Sequence, residues 1–210
     1  MSRTEHWDRV YTAKGDLEVS WFESDPATSL SMLDAAALST DSCVIDIGGG
    51  NSRLADRLVE RGLTCITVLD VSAVAIARAR ARLGEAAGRL RWIVADVTGD
   101  WTPPAIDLWH DRAVFHFLTE PADRARYVER LTQAVRPGGS VVIATFAPDG
   151  PETCSGLPVV RYSADALAAT LGPTFRLEQS LTRTHGTPWG SSQAFQYARF
   201  SRPSRGAVSS

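Results

Sequence analysis

Val44-Ile45-Asp46-Ile47-Gly48-Gly49-Gly50-Asn51-Ser52 is the stretch from which the rest of the chain is read. Val44, Ile45 and Ile47 are a short β-branched apolar run, the composition of a buried parallel strand. The glycines after it supply a tight turn and a backbone that a ligand approaches without meeting a Cβ. Leu54, Ala55, Leu58 and Val59 then recur at helical spacing, with Gly62 placed as a C-terminal cap. Strand, glycine turn and helix in this order suit a nucleotide-type cofactor. Asp46 narrows the choice, because a carboxylate two positions before the first glycine repels a pyrophosphate and attracts an ammonium group. A cationic cofactor is therefore favoured over NAD. Any α/β protein can use such a turn for structural reasons alone, so the motif needs company.

A second signal supports it. The run from Thr64 to Val68 is β-branched or apolar and closes in Leu69-Asp70, twenty residues after Gly50, where an acidic side chain accepts hydrogen bonds from ribose hydroxyls. With Asp46-Ile47-Gly48-Gly49-Gly50 and Asp70 in place, the chain resembles the class I S-adenosylmethionine-dependent methyltransferases. Three more motifs carry the resemblance: Val94-Ala95-Asp96, Ile106-Asp107-Leu108-Trp109 ahead of a fourth-strand end, and Arg136-Pro137-Gly138-Gly139 before a fifth strand. It covers roughly residues 40 to 200. It implies S-adenosyl-L-methionine as cofactor and S-adenosyl-L-homocysteine as product, held by Asp46, Gly48, Gly49, Gly50, Asp70, Val71, Asp96 and Val97, with the Asp96 carboxylate approaching the adenine amine.

Length and composition agree with one catalytic-sized unit. The chain has 210 residues, 44% of them hydrophobic, enough for one α/β domain with a substantial core. The expected division is an amino-terminal helical lid (1–40), a cofactor-binding domain (41–202) and a flexible tail (203–210). A formal charge of −2 gives no electrostatic footprint for nucleic acid. No stretch approaches a membrane span and the first residues lack an apolar leader core, so a cytoplasmic protein is expected, with its oligomeric state unread. Cys43, Cys65 and Cys154 are odd in number and lack Cys-x-x-Cys spacing, so neither a disulfide framework nor a metal site is expected; Cys43 and Cys65 read as small core residues.

The remaining elements alternate. Ser72 is placed to cap a helix reaching about Leu83, Arg89 to Val94 reads as a third strand, and Pro121 opens a helix with an apolar stripe of Tyr127, Val128, Leu131 and Val135. Val141 to Ala144 is a buried strand, Ser163 to Leu171 a last helix, and Phe175 to Leu181 with Ala194 to Phe200 an antiparallel pair. The expected fold is α/β: a doubly wound, Rossmann-like, seven-stranded mixed sheet with a carboxy-terminal antiparallel hairpin.

Methyl transfer needs mainly in-line positioning, and a base only if the acceptor arrives protonated. The segment after the fourth strand is where acceptor chemistry is sought: Asp111 or His110 to orient or deprotonate, Arg112 to pair with a carboxylate. Against this, an Asp-Arg pair at a strand end is often an internal salt bridge, and His116 between Phe115 and Phe117 is often a packed core histidine. Trp21, His116 and His185 are the candidate acceptor contacts. Trp7, Tyr11, Trp21 and Phe22 either cover the cofactor or line the acceptor pocket, or else dock the amino-terminal helix on the sheet. The loops 148–158, with Cys154, and 182–190, with His185 and Trp189, are candidate recognition segments.

The expected activity is methyl transfer to a small-molecule acceptor. His6-Trp7-Asp8, Glu18 to Phe22, Ser29-Leu30 and the Asp111-Arg112 pair are similar to a subgroup containing the citrate synthase lysine methyltransferase, which implies a protein lysine as the rival acceptor. A protein that binds the cofactor without turnover is a third reading. Arg53 at the third glycine's position of the dinucleotide fingerprint disfavours an NAD oxidoreductase.

Overall fold

Strand β1 (Cys43–Ile47) lies inside a seven-stranded sheet, third in its order, because apolar residues cover both of its faces. It pairs in parallel with β2 (Cys65–Asp70), which pairs with β3 (Arg91–Val94). On its other side it pairs in parallel with β4 (Ile106–Arg112), and β4 with β5 (Val135–Phe146). A small separate hairpin joins β6 (Thr153–Cys154) to β7 (Leu157–Pro158), and the sheet is closed by β9 (Ser192–Ser201), antiparallel to β5, and by β8 (Arg176–Gly186), antiparallel to β9. The order is β3-β2-β1-β4-β5-β9-β8. Helices α1 (Arg3–Ala13) and α2 (Ala27–Asp34) precede the sheet. Helices α3 (Leu54–Glu60), α4 (Ala73–Leu83), α5 (Pro121–Ala134) and α6 (Ala164–Leu171) connect its strands. This computed structural model describes residues 1–204.

Alternation along the strands builds two cores, one per face. Ile45, Ile47, Trp109, Val141 and Ile143 face α5 and α6, packing with Tyr127, Leu131 and Leu167. Val44, Val68, Leu108, Val142 and Ala144 face the other way, against Leu30 and Leu33 of α2 and Leu54 and Leu58 of α3. The same two-residue period sorts the polar residues of β4. Asp46 and His110 are register partners on the α2 and α3 side, whereas Asp111 shares the α5 face with Trp109.

Local chemistry places the helices as expected. The hydroxyl of Ser72 accepts from the Ala75 N–H, that of Ser163 accepts from the Ala166 N–H, and Pro121 occupies the first turn of α5. Strand limits shift: β3 begins at Arg91, and the final hairpin runs longer, to Gly186 and from Ser192. Arg136-Pro137-Gly138-Gly139 forms an irregularity inside β5, where pairing with β4 jumps from Ile106↔Val135 to Leu108↔Ser140. The loop at 148–158 contains the small β6–β7 pair, turned by Ser155 and Gly156 at positive φ.

One expectation is overturned. Cys43 and Cys65 are disulfide-bonded rather than separate core thiols. They are register partners at the start of neighbouring parallel strands, with Cα atoms 4.6 Å apart. That proximity exists only once the strands pair, and a sequence separation of 22 gives no local sign of it. Cys154 is the free, buried cysteine. Residues 205–210 of the expected flexible tail lie outside the described residues. Among the described residues no helix is long and apolar enough to cross a membrane, and no cluster of His, Cys, Asp and Glu is arranged to hold a metal.

The disulfide predicts thiol counts. Protein purified without reductant, denatured and alkylated, takes up one label, on Cys154, by peptide mass spectrometry, and three after reduction. Three labels before reduction contradict the bond.

Candidate active site

The glycine turn rests on two buried carboxylates. Gly48 has φ of +67°, and its N–H donates to the Leu69 carbonyl at 2.7 Å, tying the turn to the end of β2. A Cβ on Gly49 would lie 2.2 Å from Asp46 Oδ2, and one on Gly50 would lie 2.8 Å from Asp70 Oδ2 and 2.7 Å from the Ala75 methyl. The turn is glycine because the carboxylates fill the space side chains would need. Asp70 accepts from the Gly50 N–H at 3.0 Å and the Ser72 N–H at 2.8 Å. Burial pushes its carboxyl up to about 6, those two N–H groups opposing the shift. Arg82 secures the exit of the turn by donating to Asp56, to the Ser52 carbonyl at 2.7 Å and to Asn51 Oδ1 at 3.3 Å.

Behind the turn, His110 Nδ1 lies 2.7 Å from Asp46 Oδ1 and its Nε2 2.9 Å from Ser29 Oγ, all buried. A carboxylate only accepts, so the Nδ1–H donates to Asp46, and Nε2 ties the ring to the Ser29 hydroxyl. Asp46 Oδ2 has no hydrogen-bond partner. A buried carboxylate oxygen left unpaired is costly, and a cationic ligand against the turn offsets that cost.

In front of the turn lies a cavity of about 730 Å³, its open mouth included. It runs from Asp70, Val71, Asp96 and Val97 past Gly48 to Trp21, Arg112, Phe117 and Cys154, with Trp7 and Tyr11 of α1 as its cover. A neighbouring, more polar cleft shares Tyr11, Trp21, Ile47, Gly48 and Arg112 and adds Ser29, Asp46 and His110. Helix α1 is fastened over the strand ends. Asp8 accepts from Ser72 Oγ at 2.6 Å at the amino-terminal end of α4, favourable for a carboxylate, and Arg78 donates to the Lys14 carbonyl at 2.7 Å. Arg3 donates to Asp96 Oδ2 at 3.0 Å and also reaches Asp123. Burial raises the Asp96 carboxyl, but bonds from Thr98 and Arg3 outweigh it and hold the group below the usual carboxylate range.

The residues read from the sequence divide. Asp46, the three glycines, Asp70, Val71, Asp96 and Val97 converge on the turn, and Trp21 and Arg112 reach the cavity. Asp111 does not. It is turned to the opposite face, where it accepts from the Val114 and Phe115 N–H groups and from the Tyr127 hydroxyl at 2.6 Å. Burial, opposed by those bonds, pushes it up to about 6. His116 is also sealed away; its Nδ1 accepts from the Phe146 N–H at 3.3 Å, and burial pushes the imidazole down to about 3. His185 lies outside the cavity and bonds the Ser20 carbonyl at 2.7 Å, bracing the segment before α2. Arg112 is the hub of that segment: it donates to the Trp21 carbonyl at 2.8 Å and to Tyr197 Oη at 3.0 Å, and lies 3.0 Å from Glu23 Oε1. Sequence reasoning missed Arg3, Asp8 and Ser29. They are ordinary polar residues of amphipathic helices, and only the docking of α1 and α2 gives them roles.

Known proteins place this geometry. Residues 44–139 match a family model described as a methyltransferase domain. That stretch is therefore similar to a methyltransferase domain. Proteins of Mycobacterium tuberculosis and Mycobacterium bovis, each named an uncharacterized methyltransferase, are 32% identical over 116 residues, 55% of this chain and 56% of theirs. The alignment thus spans little more than half the length of those relatives. Among solved structures, one described by the conversion of a disulfide bond into a thioacetal group during echinomycin biosynthesis has a TM-score of 0.76 at 21% identity, covering 95% of this chain and 93% of that one. The N-methyltransferase NodS of Bradyrhizobium japonicum, with S-adenosylhomocysteine, has a TM-score of 0.70 at 18% identity, covering 93% and 98%. The 1,6-didemethyltoxoflavin N1-methyltransferase of Burkholderia thailandensis has a TM-score of 0.65 at 18% identity, covering 95% and 84%. These likenesses establish a shared fold.

Asp111 is buried in a hydrogen-bond network with Val114, Phe115 and Tyr127, and its titration is a test of that placement. Its carboxyl sits near 6 when folded against an ordinary 3.8, so the folded state binds the proton more tightly. The stability this contributes is full below about pH 4 and is lost as pH rises through about 6. The stability of wild type relative to Asp111→Asn, from urea unfolding, is expected to fall by about 2 to 3 kcal/mol between those limits. A pH-independent difference contradicts the burial of an ionising Asp111.

Proposed function

We propose that the protein is an S-adenosylmethionine-dependent methyltransferase acting on a small-molecule acceptor. The observation that carries this reading is the glycine turn seated on Asp46 and Asp70, with a cavity continuing from Asp70 to Asp96 on one side and to an aromatic cover on the other. The residues fit the cofactor. The unpaired Oδ2 of Asp46 behind the turn suits the positive end of the methionine part, Gly48 takes the positive φ that bends the backbone there, and Asp70 keeps lone pairs for the ribose hydroxyls. Val71 and Val97 provide apolar walls for adenine. The Asp96 carboxylate, engaged by Arg3, would hold the adenine amine with the lone pairs that Arg3 leaves it.

The bound cofactor supplies a methyl group already activated on a sulfonium. The chain's task is then to bind, orient and exclude water, and near-attack positioning of this kind contributes roughly 7 to 11 kcal/mol. Trp7, Tyr11 and Trp21 cover the cavity, and Arg112 holds the 20–23 segment against β4. Asp46 is held by His110, which Ser29 orients from α2. His110 is thereby a positioning residue for Asp46, and Asp111, on the far face, plays no part in transfer. A small acceptor agrees with a mostly apolar, covered cavity and with neighbours named for small molecules: a toxoflavin precursor and an echinomycin intermediate.

The deciding experiment incubates the protein with methyl-tritiated S-adenosylmethionine and cell extract, then separates macromolecules from small molecules, with Asp46→Ala, Asp70→Ala as control. Label among small molecules supports the proposal. Label on one protein band returns the lysine acceptor implied by the amino-terminal sequence, and binding without transfer returns the non-catalytic reading. Asp70 adds a pH test: S-adenosylmethionine affinity by calorimetry falls as pH drops below about 6, where the carboxyl takes up its proton. Asp70→Asn is expected to bind about tenfold more weakly and to lose this pH dependence.

A further inference from the structure

We propose that the acceptor is an uncharged, flat nitrogen heterocycle, methylated on a ring nitrogen that carries no proton, and held in the box made by Trp7, Tyr11, Trp21 and Phe117; the proposal rests on the methyltransferase reading above. All four rings line the cavity. Trp7 lies 5.6 Å from Trp21 at 82° and 5.2 Å from Phe117 at 76°, and Tyr11 lies 6.1 Å from Trp21 at 80°. These are edge-to-face contacts that lock the four rings into one continuous aromatic surface, and the part of it that lines the cavity is what a flat aromatic guest packs against.

The chemistry of the box excludes acceptors that must lose a proton first. Asp111 and His116 are turned away, Asp96 is clasped by Arg3, and Asp70 holds two backbone N–H groups. The Arg112 cation is matched by Glu23 and stacks 4.7 Å over Phe195. Two ionisable groups remain along the walls, the Cys154 thiol and the Tyr11 phenol, and burial pushes both up, so neither is a ready base. The same burial disfavours an acceptor thiolate or phenolate. The two carboxylates on these walls, Asp70 and Asp96, are the ones that the methyltransferase reading gives to the ribose and the adenine, so an alkylammonium acceptor finds none left over to take its proton. A pyridine-type nitrogen enters neutral with its lone pair ready.

The transfer balances without a base. The ring-nitrogen lone pair forms the N–CH₃ bond as the S–CH₃ bond breaks, the bonding electrons stay on sulfur, and the positive charge passes from the sulfonium to the heterocycle. No proton moves. The faces of the box attract that charge throughout its passage.

The test has separate readouts. Calorimetry with S-adenosylhomocysteine checks the cofactor site and the folding of every variant. Tryptophan fluorescence, reporting from Trp7 and Trp21, then tracks titration of the S-adenosylhomocysteine complex with isoquinoline, cyclohexylamine and cyclohexanethiol. Isoquinoline is expected to bind about tenfold tighter than either aliphatic probe, and Phe117→Leu to erase most of that preference. With S-adenosylmethionine, isoquinoline is expected to yield N-methylisoquinolinium by mass spectrometry. If S-adenosylhomocysteine binds but isoquinoline shows no preference, or the preference survives Phe117→Leu, the proposed acceptor class is wrong. If S-adenosylhomocysteine itself does not bind, the methyltransferase reading fails and the acceptor proposal with it.

Discussion

Two carboxylates at neighbouring strand ends, buried beneath a turn with no side chains, are the constraint on which the site depends. Asp46 and Asp70 occupy the volume that a Cβ on Gly49 or Gly50 would need, and Asp70 also accepts the Gly50 N–H. Each is costly to bury. Asp70 answers with two backbone donors and a carboxyl pushed up to about 6, Asp46 with one imidazole and an oxygen left open. Charge is therefore concentrated behind a surface that nothing but backbone separates from the cavity. Few arrangements are better suited to drawing in a cationic ligand, and few would be as unfavourable to a pyrophosphate.

The two-residue period of β4 decides what the candidate catalytic residues become. His110 falls on the side of Asp46 and α2, Asp111 on the side of α5, and Arg112 at the strand end. A strand offers adjacent residues to opposite faces, so His110 and Asp111 cannot both serve one cavity. Their labour is divided: His110 steadies a carboxylate behind the turn, Asp111 ties the end of β4 to α5 through Tyr127, and Arg112 organises the cover. Positioning residues surround the cavity, and the cavity itself is built of aromatic and aliphatic walls.

Much of this was legible from local chemistry. The apolar runs marked the strands, Ser72, Pro121 and Ser163 marked helix starts, and the spacing of Asp46, the glycines, Asp70 and Asp96 marked one end of the sheet. What was not legible depends on register and docking. Adjacency in sequence suggested that Asp111 and Arg112 act as a pair, but strand alternation separates them. Cys43 and Cys65 meet only through the β1–β2 register. Arg3, Asp8 and Ser29 gain partners 64 or more positions away when α1 and α2 settle on the sheet. His116 and His185 carried a chemically suggestive identity and turned out to brace the fold.

The most direct measurement is hydrogen exchange of backbone amides with and without S-adenosylhomocysteine, with NAD in a parallel sample. The account predicts slowed exchange at 48–52, 70–75 and 96–98 with S-adenosylhomocysteine, together with the α1 segment that covers them, and no change with NAD. Protection of these segments by NAD, or their indifference to S-adenosylhomocysteine, would contradict it.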